Sequence, residues 1–474
     1  MQGFIRASDV LSGDLDAGQT LKLDKRYGNR DFWTALDLLG VAGPFTALTP
    51  WEVQDPQGRR LINASGYSAT PFGDAPPELS DFVRTLLSGR KDLWLPQSSA
   101  SPWRAALSAN LIRLLARDLP SHAESRVFFS NSGTEAIEGA IKFAKAVRPK
   151  GRHLVAFTSA YHGKTFGSLS ITPNSEYQGM FKSLLRGAVI VPYGDLEALE
   201  RKIALLKPDS IAAVVVEPIQ GEGGVKIPPP GYLAGLGELC SRHGIPVIAD
   251  EIQTGLGRTG HWFESAAQGL DPDIIALAKP LGGGMVPVGA TIARKKIYDT
   301  MLGGTASKRH SNTFGGGVLA MAVGLRSLEW LLDQDLPKRS LRMGEVGLAR
   351  LQTLHAQYPQ LFEAVRGQGM LMAMQFRPML GLQKPDALRE VVHEASALLA
   401  MRLIGQEGVL VNVTLSQKRT LRLTPALTMP EAVFGEMFDR LDQFAAQART
   451  AGGVLRRTPP GVTVNLGIFA VTRG

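Results

Sequence analysis

Cysteine is almost absent: the 474 residues contain one, Cys240. A single thiol excludes an internal disulfide framework and a cysteine-rich zinc module, and it suits a reduced compartment. Long apolar runs are also missing. Stretches such as 211–216 fall far below the ~20 residues that a membrane-spanning helix needs, so no membrane role follows. No signal-peptide apolar core stands near the start, and Asp9, Asp14, Asp16 and Asp24 argue against an acid-poor transit peptide, so the expectation is a cytoplasmic protein. Charge of one sign is in small excess, 52 Lys and Arg against 43 Asp and Glu. The basic residues are scattered, with only pairs such as Lys308-Arg309 and Arg456-Arg457. The basic stripe and stacking pattern of a nucleic-acid binder are therefore lacking. No repeat of about 20–50 residues recurs, which excludes a solenoid.

What is present is a globular composition: 44% hydrophobic residues, 52 glycines, 6 Trp, 8 Tyr and 19 Phe. At about 100–200 residues per domain, the length suggests two or three domains. The middle of the chain alternates short apolar runs with helical patterns, which reads as α/β with a mainly parallel sheet. Strands are expected at 127–130, 153–157, 188–191, 211–216, 246–249, 274–278 and 289–293. Helical spacing appears over 134–147, where Ile137, Ala140, Ile141 and Ala144 share a face, and over 233–243, stopped by Gly244. Helices are also expected at 318–332 and 341–356, separated by Pro337, then a strand at 365–376. The last third mixes helices and short strands, a smaller α+β domain. Residues 1–48 read as an arm with some helix, and 455–474, with Pro459-Pro460, as an extended tail.

Three local patterns carry chemistry. In 127–146 an apolar strand feeds Ser-Asn-Ser-Gly-Thr and opens an amphipathic helix. Ser132 and Glu135 fit a capping box, Gly133 lets backbone approach a ligand, and the helix start favours an anion such as phosphate. In 244–260 Asp250 stands at the C-terminal end of a buried strand, the edge where open α/β sheets bind ligands, with Gln253 three residues on. In 272–293 Lys279 ends another apolar strand before Pro280 and three glycines; desolvation there lowers an amine's pKa and makes it a nucleophile toward carbonyls. Singly, each has a plain structural reading: a capped helix, an acid capping a turn, a surface lysine past a strand. Together they match the needs of pyridoxal 5′-phosphate, which requires a phosphate anchor, a carboxylate for its ring nitrogen and an amine for its aldehyde.

The chain resembles the class III aminotransferases, a family of fold type I pyridoxal-phosphate enzymes. The resemblance is carried by NSGTEA at 131–136, YHGKT at 161–165, EPIQGEGG at 217–224, DEIQTGLGRTG at 250–260, AKPLGGG at 278–284 and NTFGGG at 312–317, and it extends over about 51–441. It implies a large domain with a mainly parallel seven-stranded sheet and a smaller α+β domain: residues 1–80 as an arm and part of the small domain, 81–340 as the large domain, 341–474 as the rest of the small domain and a tail. It implies that Lys279 carries the cofactor as a Schiff base and moves the substrate proton, and that Asp250 pairs with the ring nitrogen. Gln253 would contact the ring's phenolic oxygen, Gly133 and Thr134 with Ser132 would hold the phosphate, and Tyr161 would stack on the ring. Thr313 would reach the phosphate from a second subunit, which implies a homodimer with shared active sites. His162 is expected as a packing or ring-adjacent residue, and Cys240 as a small buried one.

For the substrate, Arg422 matches the family's arginine for the α-carboxylate of glutamate or 2-oxoglutarate. Glu222 matches the acid that neutralises it when an amine without that carboxylate is bound. Tyr67 is a substrate-pocket residue by approximate position. Lys164 departs from the arginine of acetylornithine, ornithine and 4-aminobutyrate enzymes, and lysine lacks the bidentate fork. The segments from 161, 217 and 278 most resemble the putrescine aminotransferase branch, so the expected donor is a diamine or another ω-amine and the acceptor 2-oxoglutarate or pyruvate. The segment from 312 lacks the common Asn-Pro, and 71–77 departs from the frequent Gly-His turn. The rivals are an acetylornithine, ornithine or 4-aminobutyrate aminotransferase, an aminomutase, epimerase or decarboxylase on the same fold, and a noncatalytic basic binding protein.

Overall fold

The computed structural model describes residues 4–88, 93–96, 98–181, 183–378 and 387–473. At its centre is a seven-stranded sheet in the order Arg126–Ser130, Gly289–Ala293, Ile274–Leu277, Val247–Asp250, Ile211–Val216, His153–Phe157, Ala188–Val191. Five neighbouring strands run parallel, and only Gly289–Ala293 runs antiparallel to both of its neighbours. All seven strands stand where the apolar runs place them. Alternation explains the burial of both faces. Leu154, Ala156, Ala213 and Val215 pack beneath the helix Gly133–Val147, with Ile137, Ala140 and Ala144. Val155, Phe157, Val214 and Val216 pack on the opposite side with Leu199, Ile203, Leu233 and Leu236, from helices Leu196–Leu206 and Tyr232–Arg242. Cys240 is buried in that second layer, where desolvation pushes its thiol up to about 12.

Two four-stranded sheets lie outside the central one. The first joins Thr46–Thr49, Glu52–Gln54, Arg60–Asn63 and Val409–Leu410, so chain positions more than three hundred residues apart share a sheet. The second joins Phe362–Gln368, Leu371–Phe376, Thr420–Leu423 and Asn412–Val413. The single strand expected at 365–376 is thus an antiparallel hairpin. It reverses at Gly369, whose φ of +54° suits glycine and whose Cβ would meet the Thr259 carbonyl carbon at 2.4 Å.

Two helical expectations also change. Pro337 sits in the first turn of Leu336–Gln357 and so opens that helix five residues before the expected start at 341, because proline's missing N–H costs nothing there. The tail is helical rather than extended. Ala451–Arg457 is followed by Pro460–Arg473, and Pro460 again occupies a first helical turn, so Pro459-Pro460 marks a break between helices. The arm carries three helices, Ala7–Leu11, Ala17–Tyr27 and Arg30–Leu38. Among the described residues, no helix is long and apolar enough to cross a membrane.

Candidate active site

A cavity of about 770 Å³ opens at the C-terminal edge of the parallel strands. Four of the five parallel strands each deliver one chemical group there. Tyr161 follows His153–Phe157, Glu217 directly follows Ile211–Val216, Asp250 ends Val247–Asp250, and Lys279 follows Ile274–Leu277, and all four line the cavity.

The cavity's anion-binding end is the start of Gly133–Val147. Ser132 caps it, its hydroxyl accepting from the Glu135 amide at 3.3 Å while the Glu135 carboxylate accepts from the Asn131 amide at 2.5 Å. Ser132, Gly133 and Thr134 all line the cavity. Thr134 Oγ1 is shared with the hydroxyls of Thr165 (2.8 Å) and Ser168 (2.7 Å). Glu138 accepts from the Gly167 and Ser168 amides, which fixes a second short helix beside the first.

Opposite, Asp250 is buried and doubly held. Oδ1 accepts from the Ile252 amide at 3.1 Å, and Oδ2 lies 2.7 Å from His162 Nδ1. Desolvation opposes charge on His162, but the hydrogen bond and charge of Asp250, together with Glu217, push its pKa above the usual imidazole value. The result is an acid hydrogen-bonded to a buried imidazole whose protonated form it favours. Glu217 accepts from the Tyr161 and Gly221 amides at 2.9 and 3.2 Å, and burial drives its carboxyl well above the ordinary range. Sequence spacing alone missed both roles. Glu217 carried a signal, an acid ending an apolar strand as Asp250 does, whereas nothing local pointed His162 at Asp250.

Lys279 faces the same space with φ of +39°, a backbone setting that non-glycine residues seldom adopt and that marks a constrained position. Its side chain keeps some surface toward the cavity, yet desolvation brings the amine down to about 8, with Arg422 adding and Glu222, Asp250 and Glu217 opposing. An amine at that value offers its neutral, nucleophilic form near neutral pH.

A buried ion pair adjoins this cavity. Arg422, on Thr420–Leu423, donates from Nη1 to Glu222 Oε1 and, at 2.9 Å, to Gln253 Oε1. Gln253 Nε2 donates to Glu222 Oε1 at 3.1 Å, and the Leu415 amide to Glu222 Oε2 at 3.0 Å. Burial would raise the Glu222 carboxyl, but Arg422 and Lys279 hold it below its ordinary value. Arg422 Nε and Nη2 are buried without a hydrogen-bond partner among the described residues. Gln253 therefore lines the cavity while its amide is engaged by the ion pair. Tyr67, at φ +51°, holds its ring 5.5 Å from the Arg422 guanidinium but does not line the cavity. Thr313 is exposed and lies outside the cavity of the single chain.

These groups fit pyridoxal 5′-phosphate: a capped helix start for the phosphate, a buried, hydrogen-bonded carboxylate for the ring nitrogen, and a desolvated amine for the aldehyde. The fold and site define a fold type I pyridoxal-phosphate enzyme. The chain belongs to the class III aminotransferase family, whose model matches residues 50–444. Solved structures agree. An amine transaminase from an uncultivated Pseudomonas species, in its PLP-bound form, is 28% identical with a TM-score of 0.75, over 85% of this chain and 94% of that one. The ornithine aminotransferase of Toxoplasma gondii is 26% identical with a TM-score of 0.78, over 94% and 99%. An (S)-enantioselective omega-transaminase from Thermomicrobium roseum is 25% identical with a TM-score of 0.74, over 85% and 92%. The chain is therefore a pyridoxal-phosphate-dependent aminotransferase.

Proposed function

We propose that this aminotransferase is an ω-aminotransferase that takes an amino group from a diamine or another ω-amine and gives it to 2-oxoglutarate or pyruvate in a ping-pong cycle. The observation that carries the reading is the buried Arg422–Glu222 pair bridged by Gln253 beside Lys279. With the pair closed, Arg422 is neutralised and an amine without an α-carboxylate meets no unpaired cation. For a dicarboxylate acceptor, release of Glu222 would open the buried guanidinium, whose Nε and Nη2 have no hydrogen-bond partner among the described residues, to the incoming carboxylate.

Bound pyridoxal phosphate supplies the electron sink that lets the C–H bond beside the substrate nitrogen break. The chain does the rest. Lys279 Nζ would hold the cofactor and, as a neutral amine, would take up that proton and give it back. Asp250, backed by His162, would hold a proton on the ring nitrogen. Ser132, Gly133 and Thr134 would anchor the phosphate, and Tyr161 would cover the ring. Gln253, which lines the cavity, would face the ring's phenolic oxygen. Tyr67 borders the donor's path beside Arg422.

The same proposal has the enzyme working in the cytoplasm as a homodimer, with Thr313 of each subunit completing the phosphate site of the other; its exposed position outside its own cavity supports this. It also divides the chain at 1–80, 81–340 and 341–474, supported by the pairing of Arg60–Asn63 with Val409–Leu410. The test is a spectrally followed half-reaction. Amines are added singly to the holoenzyme, recording which convert the aldehyde form of the cofactor to the amine form. Terminal diamines and ω-amines should convert it fastest. Strong preference for acetylornithine or 4-aminobutyrate overturns the donor class, and turnover without consumption of an oxo acid overturns transamination.

A further inference from the structure

Lys164 lines the cavity, and its ammonium sits 3.7 Å from the centroid of the Tyr177 ring. That is a close cation–π contact. Among the described residues Lys164 makes no ion pair. Its nearest acids are already engaged: Glu222 by Arg422 and Glu176 by Lys418. A cation in the cavity with an aromatic face in place of a counter-ion is held without being neutralised. It can leave that face for a carboxylate at little cost, whereas an ion pair would have to be broken.

The mounting of Tyr177 connects this contact to the Arg422 pair. Tyr177 belongs to the one-turn helix Ser175–Gln178, capped by Asn174, whose side chain accepts from the Glu176 and Tyr177 amides. Glu176 pairs with Lys418, which ties that turn to the loop at 415–418. The same loop grips Glu222, through the Leu415 amide on its carboxylate and the Ser416 amide on its carbonyl. One loop thus supports the partner of Arg422 and the turn that carries Tyr177.

We propose that Tyr177 is a specificity-determining positioning residue: its ring cradles the Lys164 ammonium aside while a cationic donor binds, and yields it to the distal carboxylate of a dicarboxylate acceptor. This rests on the ω-amine reading above and adds to it a second, cation-parking site for the same alternation of substrates. A diamine brings a second positive charge into the cavity, so an uncradled Lys164 repels it. A monoamine with an apolar tail brings none. The acceptor's second carboxylate attracts Lys164, and a monocarboxylate acceptor has nothing to offer it.

The test uses holoenzyme in single-turnover half-reactions with 1,4-diaminobutane and butylamine, and the amine-loaded enzyme with 2-oxoglutarate and pyruvate. Tyr177→Leu should weaken apparent binding of the diamine about three- to tenfold, leave butylamine binding in place, and keep the maximal rate of the half-reaction. Tyr177→Phe, which retains the ring, should restore discrimination. In a Lys164→Met background, Tyr177→Leu should have no further effect on the diamine. With acceptors, Lys164→Met should weaken 2-oxoglutarate but not pyruvate, and Tyr177→Leu should not weaken 2-oxoglutarate. Tyr177→Gln replaces the leucine variant if that protein does not fold.

Equal losses for both amines, persistence of the effect without Lys164, or a phenylalanine variant that behaves like leucine would each overturn the cradle. If neither amine reacts with the wild type, the ω-amine reading has failed, and the acceptor arm still decides the cradle. Weaker 2-oxoglutarate binding in Tyr177→Leu refutes it, and unchanged or tighter binding upholds it.

Discussion

His162 Nδ1 and Asp250 Oδ2 meet at 2.7 Å in a buried contact that joins the turn after one parallel strand to the end of another. His162→Ala would leave Asp250 Oδ2 without its buried hydrogen-bond partner. Such a charge-assisted hydrogen bond is worth about 1.5–3 kcal/mol, so transamination should fall about ten- to hundredfold. Absorption spectra of the bound cofactor should shift in the same variant. An unchanged spectrum with reduced activity would assign His162 to packing alone.

Lys279 gives a pH signature. Its folded pKa, about 8, lies below the ordinary lysine value, so the unfolded chain binds the extra proton between those two values. Stability of the cofactor-free protein should therefore rise with pH from about 8 toward about 10.4, as the folded state sheds a proton that the unfolded state keeps. Lys279→Met should lose that rise, as thermal melts at a series of pH values would show. The rate of cofactor capture should climb through the same pH of about 8, because only the neutral amine attacks an aldehyde. Borohydride reduction should fix the cofactor to the wild type and not to Lys279→Met.

Removing Glu222 separates the two halves of the reaction. Glu222→Ala leaves the Arg422 guanidinium, 1% exposed, without its counter-ion. Breaking a buried pair from one side costs about 3–5 kcal/mol, which denaturant titration would register. In kinetics, the half-reaction with a diamine or a neutral-tailed amine should slow, while binding of 2-oxoglutarate should persist. Equal loss in both halves would contradict an alternating role.

Gly289 tests the phosphate end. A Cβ there would lie 2.2 Å from the Ser132 carbonyl oxygen, and backbone cannot yield as a flexible side chain can. Gly289→Ala should displace the start of Gly133–Val147 and weaken cofactor affinity by at least about tenfold, measured by apo-enzyme reconstitution. Gly58→Ala has no atom within 4 Å of the new Cβ, and although its φ of +80° carries local strain, it should leave that affinity unaltered.

The central sheet was legible in the chain itself, because a parallel strand covered on both faces must be a short uninterrupted apolar run, and 211–216 and 274–277 are little else. The helix start at Ser132 and Gly133 was legible for a similar local reason, since caps are built from residues within four positions of one another. Where one residue's geometry interrupted a pattern, sequence misled. The apolar stretch 365–376 runs across a reversal set by Gly369, and Pro459-Pro460 looks like a stop although Pro460 begins a helix.

Amino-acid order alone determined which groups stand at strand ends and helix starts: Asp250, Lys279, Ser132 and Gly133, each placed by its immediate neighbours. Only the tertiary structure decided what those groups touch. Asp250 meets His162 across 88 positions, Glu222 meets Arg422 across 200, and Lys164 lies over a ring from a different turn. Local periodicity records which way a side chain points, whereas pairing across the sheet edge depends on the strand order 153–157, 211–216, 247–250, 274–277, which closes only when the whole core packs.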